Sequence, residues 1–287
     1  MRIAVLGLIA LSGMAWAAPA LDEDFATLKE AVAGNDAPKI KDMAATVSKE
    51  SRAIIAKGDE SADVVEFAKG ADEYSEYALS IAAAKASDAK TTIEFTELLL
   101  AQNNKSKHVD TAATYYLAAL AKEGAAKQSA GAQKILAGRP ENEDALDMAA
   151  RLGGAGGGGT YGRRLIDVMQ KKAKPEGLSD ADWTKKKEAM LADGYYFSAM
   201  APCAGQRWKE CDGAFKAADP YLKQPAMLGT SYFYQGLANY NLAKLLQDKS
   251  RLQTALKYSE QSAAIPGPMQ GQASSNVAVM KKELGVR

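Results

Sequence analysis

Tyr195-Tyr196-Phe197-Ser198-Ala199-Met200, followed by Cys211-Asp212-Gly213-Ala214-Phe215 and then by Ala218-Asp219-Pro220, is the stretch that decides the fold. Tyr195 and Ala199 are four apart, and so are Cys211 and Phe215, which puts each pair on one face of a helix. Pro220 stops the second helix. The same order returns at Tyr232, Gly236, Ala255, Ser262 and Ile265-Pro266. A helical hairpin that recurs has to stack, because one hairpin cannot bury both of its faces. The chain therefore reads as all-α, built as an array of antiparallel hairpins.

Working outward, closing prolines stand at Pro140, Pro175, Pro220 and Pro266, with gaps of 35, 45 and 46 residues. Between Gly138-Arg139-Pro140 and Ala145-Leu146 lies Glu141-Asn142, whose side chains suit the exposed first amides of the next helix. Upstream, apolar residues keep helical spacing through Phe25, Leu28, Val32, Ile40, Met43, Val47 and Ile54. Breaks fall at Gly34-Asn35-Asp36, Gly58-Asp59-Glu60-Ser61, Ser87-Asp88 and Asn103-Asn104-Lys105-Ser106. No repeat motif shows in this first part. The expected organisation is a leader over 1–20, an N-terminal helical segment over 21–105, and a repeat domain over 106–287 whose last helix, Met269 to Leu284, serves as a cap.

Composition agrees. Alanine is abundant and favours closely packed helices. Lys+Arg is 36 against Asp+Glu 35, so no basic excess points to nucleic acid. Arg2, a short apolar run to Leu11, and the small-x-small triplets Ala15-Trp16-Ala17 and Ala18-Pro19-Ala20 predict a cleavable export signal. No cysteine follows that run, which argues against a lipid anchor. The expected location is the periplasm or the outside, with no stable membrane insertion. In that oxidising setting Cys203 and Cys211 can form one disulfide or pack as two small apolar side chains; their spacing leaves both open.

With these residues in place, the chain resembles the tetratricopeptide-repeat family, whose unit is about 34 residues. Tyr195 and Ala199 match the first helix of a unit; Cys211, Phe215 and Ala218 match the second. Tyr232, Gly236, Ala255, Ser262 and Pro266 give a second unit, in which Ser259 stands where an aromatic is usual. Tyr115, Ala119, Gly131 and Ile135 give a looser, earlier one. The resemblance implies a right-handed α-solenoid with a concave groove lined by first helices. Carried over residue by residue, it places Tyr116, Leu120, Tyr196, Met200, Phe233, Leu237, Tyr240 and Asn241 in a partner-binding groove suited to a protein or peptide.

Little suggests catalysis. His108 is the only histidine, which excludes a multi-histidine metal site, and no nucleophile motif accompanies it. The run Gly153-Gly154-Ala155-Gly156-Gly157-Gly158-Gly159 lacks the Gly-Lys-Ser/Thr ending of a phosphate loop and reads as a mobile connection between helices. Pro202 is expected to end its helix early. No cofactor and no metal is expected, and no catalytic residue is assigned. The function read from the sequence is an exported non-catalytic scaffold or adaptor; the alternative is a cell-envelope enzyme or glycan-binding module on a helical scaffold.

Overall fold

The computed structural model describes residues 19–175 and 177–286. The export signal read in residues 1–20 lies, up to Ala18, outside the described residues. Among the described residues there are thirteen α-helices and no strand. The chain forms two compact units, one up to Ala145 and one from Leu146. The helix that follows residue 105 packs back on the two before it.

The first unit holds α1 (Pro19–Gly34), α2 (Ala37–Lys57), α3 (Ala62–Lys85), α4 (Ala89–Asn103), α5 (Val109–Ala121) and α6 (Ala125–Gly138). The breaks are those the sequence marks, and side chains fix them. Asp36 accepts from the Lys39 amide, Ser61 from Val64 and Asp88 from Thr91, each satisfying a first-turn N–H. Gly58 closes α2 at φ 73°, a conformation that costs a residue with a Cβ. Each such cap contributes about 0.5–2 kcal/mol. Consecutive helices pack on each other, and α3 also touches both α1 and α5. Helix pairing in series thus reaches into the part without a legible repeat.

Leu28, Ile40, Val47, Phe95, Leu99 and Ile135 are buried in this unit's core. Tyr116 and Leu120 are buried there too, at 1% and 5% exposure. Both lean on α6 at Gly131, where an added Cβ would lie 2.2 Å from Leu120 Cδ1 and 3.0 Å from the Tyr116 ring. Their expected place in an open groove is therefore corrected: they fill the α5–α6 contact.

The helix α7 (Glu143–Leu152) begins at the end of the first unit and runs into the second. Asn142 Oδ1 accepts from the Ala145 amide at 2.9 Å, so Asn142 is the capping residue. The second unit continues with α8 (Gly154–Lys171), α9 (Asp180–Ala204), α10 (Trp208–Ala218), α11 (Pro225–Leu246), α12 (Lys249–Ala263) and α13 (Gln270–Leu284). Each helix packs on the next, and α9 also touches α11.

Two sequence expectations are corrected here. The glycine run is no loop: Gly153 is the N-cap, and from Gly154 onward the run is the first part of α8. Missing side chains are what let α8 lie against its neighbours. A Cβ on Gly158 would meet Ala150 O at 2.5 Å, on Gly159 the Ala201 Cβ at 2.4 Å, and on Gly162 the Gly194 O at 2.7 Å. Backbone contact between α8 and α9 thus outweighs the roughly 1 kcal/mol per residue that glycine costs a helix. Pro202, in turn, lies inside α9, two residues before its end. There it removes one amide donor in the last turn, and its own carbonyl accepts from Arg207 N at 2.9 Å.

Gly236 lets α11 approach α12, with Ser259 Oγ 2.7 Å and Ala255 O 3.3 Å from where its Cβ would be. The same contact explains Ser259: buried beneath Gly236 and Met280, it has no room for a ring. The packing of α11 on α10 combines stacked rings, Phe215 on Tyr234, with a polar row. Ser231, Gln235 and Asn239 recur every four residues and are buried at 0–2% exposure. Asp219 accepts from Ser231 Oγ at 2.6 Å and from Gln235 Nε2 at 2.9 Å, and Asp212 accepts from Asn239 Nδ2 at 2.7 Å. Hydrogen bonds to a charged acceptor contribute about 1.5–3 kcal/mol each, which offsets the burial of these donors, while Gln235 Oε1 is buried without a partner among the described residues.

Candidate functional site

The expected groove residues of the second unit do not form one open surface. Phe233 is 4% exposed and belongs to the core, which corrects its place in the groove. Tyr196 and Met200 are half-buried against the cluster of Ala199, Cys203, Cys211, Phe215 and Ala238. Burial pushes the Tyr196 hydroxyl up from the ordinary tyrosine range, against a hydrogen bond with Thr230. Tyr240 donates to Glu283 of α13 at 2.8 Å, beside Lys244 at 3.1 Å from the same carboxylate. Asn241 donates to the Leu237 carbonyl of its own helix at 2.8 Å. Met200, Leu237 and Asn241 thus remain as half-exposed positions on α9 and α11, and Tyr240 serves to seat α13.

Cys203 and Cys211 are joined by a disulfide, with Cα atoms 4.8 Å apart. It ties the end of α9 to α10 beside the stacked rings of Phe215 and Tyr234. The cross-link spans eight residues, and the chain-entropy relation gives about 2.5 kcal/mol for that loop. Reduction is therefore expected to lower the unfolding free energy by about that amount. Denaturant unfolding with and without reductant, with Cys203→Ala/Cys211→Ala as control, checks this.

Two charged sites emerge that the sequence did not single out. In the first unit a cleft of about 360 Å³ is lined by Ile55, by Lys69, Asp72, Glu73 and Glu76 of α3, by Asn103 at the end of α4, by Lys105, Ser106 and Lys107 of the α4–α5 turn, and by Arg139. Asp72 accepts from Ser48 Oγ at 2.6 Å and Arg52 Nε at 3.0 Å. Glu76, 6% exposed, accepts from Asn103 Nδ2 at 2.8 Å, with Arg52 Nη2 at 3.7 Å. Glu73 pairs with Lys107, whose hydrogen bond holds its carboxyl below the usual range. His108 Nε2 is 3.8 Å from Glu73, too long for a hydrogen bond. Burial, then Lys107, pulls the imidazole below its ordinary range.

In the second unit, Arg151 of α7 donates through Nε to Asp147 at 2.9 Å and through Nη2 to Asp193 of α9. Asp193 is 4% exposed. Burial first, and Asp147 second, raise its carboxyl to about 6 despite Arg151. The i,i+4 pair Asp147–Arg151 is visible in the sequence; its third member, 42 residues from Arg151, is not. Among the described residues, no group of three or more His, Cys, Asp or Glu side chains could hold a metal ion. None of the described helices is long and apolar enough to cross a membrane.

Comparison with protein-family models, with curated proteins and with solved structures finds no match.

Proposed function

We infer that this is an exported, non-catalytic scaffold or adaptor of the cell envelope, a right-handed tetratricopeptide-like solenoid that binds a protein or peptide partner. The observation that carries this reading is the contact pattern of alternate helices. α3 touches both α1 and α5, and α9 touches α11, as stacked hairpins require. Close approach at Gly131 and Gly236, where the repeat pattern asks for small residues, supports the same reading. The binding surface is the exposed part of α9 and α11, with Met200 and Leu237 as apolar contacts and Asn241 as a polar one. A helix or extended segment laid there would bury apolar area and leave a polar rim.

Asp193 is the one observation that favours a helical enzyme, since a carboxyl near 6 suits a general acid. Its burial beneath Arg151 fits an internal clasp better than a group that must reach a substrate.

In-cell crosslinking and mass spectrometry, with Met200→Lys/Leu237→Lys as control, tests the scaffold reading. Loss of one specific protein from the double variant, with helical content unchanged, is expected. A partner recovered equally from both proteins, or none from either, contradicts it.

A further inference from the structure

Leu245 and Leu246 are the most exposed large apolar side chains among the described residues, at 75% and 59% exposure. They close α11, just before Gln247 turns the chain at φ 53° toward α12. Bonds between helices show what else lies at this end of the second unit. Asp219 meets Ser231 and Asp212 meets Asn239, so α10 and α11 run antiparallel and the start of α10 lies level with the end of α11. Tyr240 and Lys244 both reach Glu283, which brings the last turn of α13 alongside. Val286, 49% exposed, follows that turn.

The charges at this end do not cancel. Arg207 and Lys209 flank the start of α10, Lys244, Lys249 and Arg251 surround the α11–α12 turn, and Lys282 stands in the last turn of α13. Three carboxylates answer three of these cations: Glu210 is 3.4 Å from Arg207, Glu283 is 3.1 Å from Lys244, and Asp248 is 3.5 Å from Arg251. The next charges inward match each other, Lys281 with Glu260 at 3.2 Å and Lys216 with Asp212 at 2.7 Å. Lys209, Lys249 and Lys282 are exposed, and none of the described carboxylates lies within ion-pair distance of them.

Successive residues project about 100° apart around a helix, so a groove that takes one side of α11 covers one leucine and leaves the other wet. A second copy docked here about a two-fold axis would set the same three lysines against each other. A lipid interface covers both leucines at once, and anionic headgroups neutralise the lysines. We propose that the α11–α12 turn docks on an anionic lipid membrane, with Leu245 and Leu246 entering the headgroup layer and Lys209, Lys249 and Lys282 facing lipid phosphates. The attachment is peripheral, since a span needs about 20 apolar residues. Its electrostatic part is screened by salt.

Co-sedimentation of the protein, purified as the cell produces it, with vesicles of phosphatidylcholine alone and of phosphatidylcholine mixed with phosphatidylglycerol tests this. Binding to the mixed vesicles is expected, weaker on phosphatidylcholine and weaker when salt rises from about 20 to about 200 mM. Leu245→Ser/Leu246→Ser should weaken binding to the mixed vesicles roughly tenfold, which is about 1.4 kcal/mol. Lys209→Gln/Lys249→Gln should weaken it there by a similar factor and leave the phosphatidylcholine result unchanged. All four side chains are exposed, so both variants keep their fold; circular dichroism checks that. Absence of binding to the mixed vesicles, or binding that either variant leaves unchanged, overturns the proposal. A dimer that the leucine variant abolishes, with no vesicle binding, overturns it too and assigns the leucines to a second copy.

Discussion

Gly162→Val should lower the unfolding free energy of this protein by about 3 kcal/mol. Gly157→Ala, in the same helix, should raise it by up to about 1 kcal/mol. The opposite signs come from what each new side chain meets. At Gly162 a Cβ lands 2.7 Å from the Gly194 carbonyl and 2.9 Å from the Ser198 amide nitrogen. Both are backbone atoms of α9 and cannot turn aside, so α8 has to move outward and its contact with α9 opens. Gly157 is exposed, and nothing lies within 4 Å of its added Cβ. There only the gain in helix propensity remains. Denaturant titrations of the two variants against the unaltered protein check both; a glycine run that served as a loop would show neither effect.

Arg151→Ala should cost about 2–3 kcal/mol at neutral pH, less than the ~3–5 kcal/mol of a fully buried pair because the Arg151 side chain is 45% exposed. The loss comes from leaving the carboxylates of Asp147 and Asp193 near each other without their cation. The pH dependence has a definite sign. Asp193 titrates at about 6 in the folded protein, above its ordinary 3.8. A raised carboxyl means the folded chain holds the proton more tightly than the unfolded chain. Its contribution to stability is complete below about 3.8 and is lost as pH rises through about 6. Removing Arg151 takes away the cation that favours the ionised form, so the carboxyl of Asp193 rises further. The variant should therefore regain much of its lost stability on acidification below pH 6, whereas Asp193→Asn should flatten that slope. Thermal unfolding across pH 4 to 8 reads both effects.

Features set by a few neighbouring residues were legible without the structure. Helix ends at Asp36, Ser61, Asp88 and Asn142 follow from side chains that reach an amide within three residues. The closing prolines act through their own backbone. Features set by a distant partner were not legible. The glycine run reads as flexible by local propensity, and only the backbone of α9 shows why it is helical. Tyr116, Leu120 and Phe233 share their helical spacing with genuine surface aromatics, and a single helix does not say which of its faces a neighbour covers. The serial packing of α1 to α5 carries no aromatic-and-small signature, because alanine and serine on α3 let helices approach without one. Asp193 needed Arg151, and the cleft needed three separate segments brought together at α3.

Site-specific photo-crosslinking in the cell tests the central claim most directly: that the exposed part of the first helices α9 and α11 is the partner-binding surface. A photoreactive residue at position 241, half-buried on α11, is compared with one at position 257, exposed on α12. The account predicts one discrete adduct from position 241, absent from position 257 and lost with Leu237→Lys. An adduct from position 257 with none from position 241 would contradict it and place the partner on the other side of the hairpins.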